Sequence, residues 1–381
     1  MASTMCTMCL TVKCHMSKPK LALILGSGFS KDAGLPTTAG IPSKFLATPD
    51  NKVLKDELEN EISNILRRFW IKVFGYRDGA IPPSLEDHFT ILDLAANSGH
   101  HLGNYYSPKK LRAIRRMSIH RVFPLVTFGR RKRPHIRKML FLLDKKFELS
   151  IVSLNWDIVA ESHLEKYSDL PKIHFYYPVK AYALTGQLAR ALWPHVGIPL
   201  IKVHGSTNWV YCDACRRIYA GRVASTALNR KTFLEPDDFR LFDVKAELTA
   251  QLEELSDDRD CPHCGTVLAG RVATFSYRKA FSITQFHTIW ERAHSALRNA
   301  DIWLFIGYSM PEADYEFKHL LKSAQLGRRN KNWTAKVVLK GDSAAEKRYK
   351  NFFGLTSKQV YQFGLSEWIN TTLDKFIEGD Y

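Results

Sequence analysis

The chain has 381 residues, 45% of them hydrophobic and 24% charged, the composition of a folded globular protein. Those figures exclude an intrinsically disordered chain and a disulfide-dense miniprotein, and no run approaches the ~18–20 apolar residues of a membrane helix. The formal charge of +17 favours acidic partners such as nucleic acid, nucleotides or an acidic protein surface, and says nothing about fold.

Residues 1–18 hold neither a long apolar run nor an Arg-rich amphipathic pattern, so they read as a disordered leader and not as a targeting peptide. Cys6, Cys9, Cys14 and His15 can be written as a metal pattern, but a poor one, and Met16 would serve as well as Met1 for a start. Leu21–Leu25 is a short apolar run stopped by a glycine turn, hence a buried strand. Gly26-Ser27-Gly28-Phe29-Ser30 and then Ala33-Gly34-Leu35-Pro36 give a Gly-rich turn and a helix start. From Asn51 to about Tyr76 the apolar residues Leu54, Leu58, Ile62, Ile65, Leu66, Trp70 and Val73 recur at helical spacing. Ser84-Leu85-Glu86-Asp87 before an apolar run resembles a capping box. Between Lys109 and Lys146 stand fourteen basic residues and one acid, Asp144. So +13 of the +17 lies in one mostly helical stretch, expected to break near Pro124–Gly129 and at Pro134.

Further strands are expected at Phe147–Leu154, Leu200–Val203, Ala300–Ile306 and Lys336–Leu339. Helical patterns separate several of them, notably Gln285–Arg298 and Asp314–Ala324, and Ser366–Ile377 reads as a final amphipathic helix. Strands alternating with helices imply an α/β fold, a Rossmann-like doubly wound parallel sheet. Residues 19–50, 148–208 and 273–345 would form its discontinuous nucleotide-binding domain, 51–147 a basic helical insertion, and 346–381 a helical tail.

Four of the seven cysteines form two C-x-x-C pairs, Cys212/Cys215 and Cys261/Cys264, and mark 209–272 as a small zinc module. Two thiolates on one tight turn occupy two corners of a tetrahedron, and two such knuckles close it. Four sulfur ligands leave no open position, so a zinc ion there would hold structure and do no chemistry. The separation of 45 residues exceeds the usual ~15–20, so something is inserted between the knuckles. Free thiols or a redox pair are the competing readings.

Ligands of open α/β sheets bind beyond the carboxyl ends of the strands. Here those ends carry Gly26–Ser30, Asn155 and Asp157, His204, and Ser309. A Gly-rich turn lets backbone N–H groups approach a pyrophosphate. Singly, each feature has a plain alternative: tight turns need glycine, Asn and Asp suit turns, and histidines pack in cores. Their recurrence at equivalent sheet positions, with a cysteine knuckle eight residues after His204, points to one site.

In that order the motifs resemble the sirtuin family. GSGFSKDAGLP is similar to its cofactor loop, Asn155-Trp156-Asp157 to its Asn/Asp motif, and His204-Gly205 to its catalytic histidine motif. Cys212, Cys215, Cys261 and Cys264 resemble its zinc site, and Gly307-Tyr308-Ser309 follows in the family's order. The resemblance covers residues 19–40, 147–157, 201–275 and 300–342. It implies NAD as substrate. Gly26, Ser27, Gly28, Phe29 and Ser30, with Gly34 and Pro36, would form the loop over its phosphates, and Gly307 and Ser309 would meet the adenosine half. Asn155 would hold the nicotinamide ribose and a water, Asp157 the carboxamide, and His204 would be the general base.

The departures matter. Thr37-Thr38-Ala39, Phe275-Ser276-Tyr277 and Met310-Pro311-Glu312-Ala313-Asp314 replace segments that in protein-deacylating sirtuins bracket an extended peptide. The long insertion and GYSMPEADYEF are similar to the sirtuin-like NAD hydrolases of bacterial antiphage defence. That resemblance implies a cytoplasmic NAD+ glycohydrolase giving nicotinamide and ADP-ribose. Because NAD loss is toxic, it also implies control by homo-oligomeric assembly or by a partner such as a HerA-type hexameric ATPase. Two other readings stand beside it. One is an NAD-dependent protein deacylase. The other is a nucleic-acid-binding module with a degenerate NAD pocket, contacting DNA through 109–146.

Overall fold

The computed structural model describes residues 18–48, 54–127, 130–165, 171–179, 181–183, 196–221, 234–254, 260–266, 268, 284–328, 332–379 and 381. Residues 1–17, with Cys6, Cys9, Cys14 and His15, lie outside the described residues. The strands are β1 (Lys20–Leu25), β2 (Glu148–Ser153), β3 (Phe175–Tyr176), β4 (Ala181–Ala183), β5 (Ile198–Lys202), β6 (Trp209–Tyr211), β7 (Ile218–Ala220), β8 (Ile302–Ile306), β9 (Thr334–Val338) and β10 (Val360–Tyr361). The helices are α1 (Ser27–Asp32), α2 (Pro42–Phe45), α3 (Asp56–Phe74), α4 (Leu85–Ser98), α5 (Pro108–Thr127), α6 (Pro134–Lys146), α7 (Val159–Leu164), α8 (Pro236–Arg240), α9 (Ala246–Glu254), α10 (Thr284–Asn299), α11 (Tyr315–Leu326), α12 (Ser343–Phe353), α13 (Leu365–Thr371) and α14 (Leu373–Glu378). Among the described residues, no helix is long and apolar enough to cross a membrane.

Seven strands make one sheet in the order β10-β9-β8-β1-β2-β5-β3, with every pairing parallel. The expected doubly wound α/β sheet is therefore present. Its central strands are continuous apolar runs because both faces are covered. Ala22 and Ile24 of β1 face α10, α11 and α12, whereas Leu21, Leu23 and Leu25 face α6, α13 and α14. The chain works outward from β1 through β2 to β5, then returns to lay β8 on the other side of β1. The order reverses between β1 and β8, so the crevice beyond their carboxyl ends is the switch point where such sheets bind ligands. Strands β3 and β10, two residues each, are too short to show a periodicity in sequence.

Helix α5 continues through Pro124 and ends at Thr127, inside the expected break, and α6 opens on Pro134. Helix α6 buries Ile136, Met139, Leu140 and Leu143 against the sheet, as a crossover helix does, and so belongs to the sheet's own layer. A separate core forms among α3, α4 and α5. Into it α8 and α9 send Phe239 and Leu252, so these two helices, which lie between the cysteine pairs in sequence, pack on the helical layer. The tail is two short helices with Thr372 between them, where one was expected.

Much of the basic charge is committed to protein acceptors. Arg121, 1% exposed, lies 3.1 Å from Glu59, which also accepts from His120 at 3.0 Å. Burial opposes ionisation of Glu59, but His120 and Arg121 together hold its carboxyl below the ordinary value. Arg115 meets Asp93 at 2.6 Å, Arg116 forks onto Asp238, and Arg137 donates to the carbonyls of His163, Leu164 and Pro171.

Two buried histidines are fixed neutral by their neighbours. The indole N–H of Trp70 donates to His88 Nδ1 at 3.0 Å, so Nε2 carries the proton and faces Ser118 Oγ at 2.8 Å. His163 Nδ1 donates to Val159 O at 2.7 Å, and its Nε2 accepts the Arg133 backbone N–H at 2.9 Å. Burial pushes His88 down to about 3 and His163 down to about 4. The unfolded chain therefore binds more protons than the folded one below about pH 6.5, and stability is lost as pH falls through that window. The urea midpoint should drop between pH 6.5 and 4.5, and His88→Gln, which cannot charge, should flatten that drop. An identical pH dependence in the variant would refute the assignment.

Candidate functional site

A cavity of about 740 Å³ opens at the switch point, within the range of ~300–1,000 Å³ typical of small-molecule sites. Its wall is built from the ends of five strands: Gly26 after β1, Asn155 and Asp157 after β2, His204 after β5, Gly307 after β8 and Lys340–Asp342 after β9. Two backbones touch on its floor. The N–H of Gly28 donates to Gly307 O at 2.9 Å, and that of Gly26 to Ile306 O at 3.0 Å. A Cβ on Gly28 would lie 2.6 Å from the Gly307 Cα, and one on Gly307 would lie 2.2 Å from the Phe29 nitrogen. Gly307 also has φ +64°, a left-handed conformation that side chains disfavour. These glycines are required by the contact between strand ends, whatever the cavity binds.

The polar residues are held by the backbone around them. Asn155 donates both amide hydrogens inward, to Gly26 O and Ser30 Oγ, each at 2.9 Å, leaving its Oδ1 as the acceptor. Asp157 accepts from the Val159 N–H at 2.9 Å, and its own carbonyl accepts from Lys202 Nζ. Lys202 in turn lies 3.2 Å from Glu161, both side chains fully buried. Burial pushes the Glu161 carboxyl up, and the Lys202 ammonium opposes that shift. His204 Nδ1 lies 3.0 Å from Leu154 O, an atom that can only accept, so Nδ1 carries a proton and Nε2 is the ring's basic position. From Nε2 it is 3.6 Å to Asp314 Oδ1.

Gly26, Ser27, Gly28, Pro36, Asn155, Asp157, His204, Gly307 and Ser309 all line this cavity. Three further residues singled out in sequence do not. Phe29 is buried in the sheet core, Ser30 stands behind Asn155, and Gly34 turns the chain at φ +92°. Sequence reading missed Asp314, Lys340, Asp342 and the Ile81–Glu86 segment, all in the wall. Asp314 opens α11, where an acid reads as a cap, yet its side chain makes no capping bond. The basic stretch also reaches the site. Val126 lines it, the Arg131 N–H donates to Ala33 O at 2.6 Å, Arg133 donates to Asp32 O at 2.8 Å, and Arg130 lies in the field of Asp157 and Glu161.

The β6–β7 hairpin carries Cys212 and Cys215 on its turn and pairs with β4 in a three-stranded sheet. All four sulfurs lie within 4.8 Å of one another, with Cys212–Cys264 at 3.4 Å and Cys215–Cys261 at 3.6 Å. A tetrahedron with Zn–S of ~2.3 Å has S–S edges of roughly 3.8 Å, whereas a disulfide needs ~2.05 Å. The Tyr219 hydroxyl, 3.1 Å from Cys261 Sγ, and the Cys215 N–H, 3.4 Å from Cys212 Sγ, can donate to thiolates. The donor set fits a closed structural zinc site.

No family model and no curated protein matches the chain. Among solved structures it is similar to a Sir2 with p53 peptide and NAD+, at 12% identity over 94% of each chain and a TM-score of 0.43. It is similar also to a Sir2 bound to acetylated peptide, at 11% identity over 94% of each chain and a TM-score of 0.41. A third is a mutant Sir2 homologue in complex with ADP-ribose, at 14% identity over 95% of this chain and 91% of that one, with a TM-score of 0.41. What the site can do follows from its own residues.

Two outcomes test this geometry. Gly307→Ala should destabilise the protein by roughly 2–4 kcal/mol in urea unfolding, since neither backbone can retreat. Metal analysis should find one zinc per chain, lost in a Cys212→Ser/Cys261→Ser double variant. A metal-free wild type with four freely titrating thiols would rule zinc out.

Proposed function

We propose that the chain cleaves NAD+ with water to nicotinamide and ADP-ribose. The observation that carries this reading is the convergence of Asn155, Asp157 and the Nε2 of His204 on one cavity with the Gly26–Gly28 turn. The ordered sirtuin-like motifs of the sequence supply the identity of the dinucleotide. In this reading the Gly26–Gly28 turn and Ser309 hold the phosphates and the adenosine half, and Asp157 holds the carboxamide. Bond cleavage leaves an electron-poor ribose carbon. Asn155, with only Oδ1 left to accept, orients a water toward it, and His204 Nε2 takes that water's proton. The loop bearing Asn155 and Asp157 is held from below by Lys202, which donates to the Asp157 carbonyl.

Hydrolysis is favoured over deacylation by the substitutions at Thr37–Ala39 and Met310–Asp314, where the peptide-bracketing segments of deacylating sirtuins would stand. The same resemblance supports a role in depleting NAD during bacterial antiphage defence, in the cytoplasm, under control of self-assembly or a HerA-type ATPase. DNA contact through 109–146 would fall to the exposed Lys109, Arg112, Arg131, Lys132, Lys138, Lys145 and Lys146.

Purified protein should release nicotinamide and ADP-ribose in equal amounts from NAD+. His204→Ala should slow this by about 10²–10⁴-fold and Asn155→Ala by about 10²-fold. Equal turnover by all three proteins would remove the site. Nicotinamide release that requires an acetyl-lysine peptide, one for one with deacetylation, would establish a deacylase instead.

A further inference from the structure

We propose that Asp314 is the partner of His204, setting the basicity of Nε2 and holding the imidazolium that forms when it takes a proton. This inference rests on the proposed function for the identity of the proton's donor, but the pairing itself is a property of the protein alone.

The two residues come from distant parts of the fold. His204 follows β5 and Asp314 follows β8, strands with β1 and β2 between them. Their side chains meet across the cavity, Nε2 to Oδ1 at 3.6 Å, and both are nearly buried. Asp314 stands at the N-cap of α11 yet makes no capping bond to that helix. Its Oδ2 instead accepts the Tyr308 hydroxyl at 2.8 Å, and its Oδ1 lies 3.6 Å from His204 Nε2. Tyr308 is the donor in that bond throughout. Burial and the adjacent carboxylate push its phenol well above the ordinary value, so Tyr308 keeps the proton it donates to Asp314.

The tautomer completes the case. With Nδ1–H committed to Leu154 O, neutral His204 has its unprotonated Nε2 3.6 Å from Asp314 Oδ1, where a carboxylate repels the lone pair. A proton arriving at Nε2 replaces that repulsion with an N–H⁺ facing O⁻. An opposite charge at such a distance moves a pKa by ~1–3 units. Other groups also stand near the ring. Trp290 of α10 packs 6.4 Å away and is uncharged, Asp157 lines the same cavity, and Arg348 of α12 is turned to Ser309 O beyond Tyr308. In the hydrolysis, a water O–H breaks as the new C–O bond to ribose forms. The bond to the pyridinium nitrogen breaks with its electron pair leaving on nicotinamide, which departs neutral. The water's proton rests on His204 against Asp314 and is then released to solvent, so NAD+ and water give nicotinamide, ADP-ribose and one proton.

The test is the titration of His204 by NMR of histidine-labelled protein without NAD+, its signal assigned with His204→Gln. His204 should titrate at or above about 6.5 in the wild type, although burial alone would depress it. In Asp314→Asn it should titrate at least about one unit lower, with the acid limb of kcat/KM for NAD+ moving down in parallel. A wild-type His204 that titrates below about 5.5, or an unmoved titration in folded Asp314→Asn, would overturn the pairing. The wild-type measurement decides the matter even if the variant fails to fold. A shifted titration in a protein that turns over no NAD+ supports the pair and removes only the hydrolase reading.

Discussion

The contact between two strand ends is the constraint on which the site depends. β1 and β8 are sheet neighbours, and the turn leaving one lies against the turn leaving the other with no side chain between them. That closeness is possible only because glycine stands at 26, 28 and 307. It brings Gly26 O to where Asn155 can donate to it, and it sets Tyr308 and Ser309 at the rim. A side chain at any of the three glycines would push apart the two halves of the sheet at its switch point. The glycines therefore answer first to packing, and the cavity is what that packing leaves.

Beneath this contact the loop after β2 is held by buried polar groups. Lys202 joins Glu161 to the carbonyl of Asp157, and the Tyr177 hydroxyl donates to Glu161 at 3.1 Å. A buried ion pair adds little net stability, since desolvation offsets much of its attraction, but breaking one leaves an uncompensated charge. Its effect here is geometric: it fixes the turn that presents Asn155 and Asp157. His163 does the same on the far side, accepting from the Arg133 backbone and tying the basic loop to α7.

The charge of the chain takes on a different meaning in the fold. Read along the sequence, the stretch from Lys109 to Lys146 is a basic block detached from the chemistry. In three dimensions Arg121 and Arg137 are interior residues, and Arg115 and Arg116 close helix–helix contacts through Asp93 and Asp238. Arg131 and Arg133 brace the segment that follows the Gly-rich turn. Guanidinium suits this work because its planar fork can satisfy several carbonyls at once.

The sequence by itself determined the layer architecture, the central strands, and most of the strand-end residues that line the cavity. Short apolar runs stopped by glycine or polar turns and alternating with helical patterns read as buried parallel strands, and such strands put their ends together. It determined the four cysteines too, because C-x-x-C spacing is a local property of a turn. It did not reveal the two-residue strands, the docking of α6 on the sheet, or the seating of α8 and α9 on the helical insertion. Nor did it reveal Asp314, whose place at a helix start has an ordinary local explanation. Those features were decided by the tertiary structure, because each depends on a contact between residues far apart in the chain. Asp314 and His204 are 110 positions apart in sequence and 3.6 Å apart in space, and no periodicity or spacing encodes that distance.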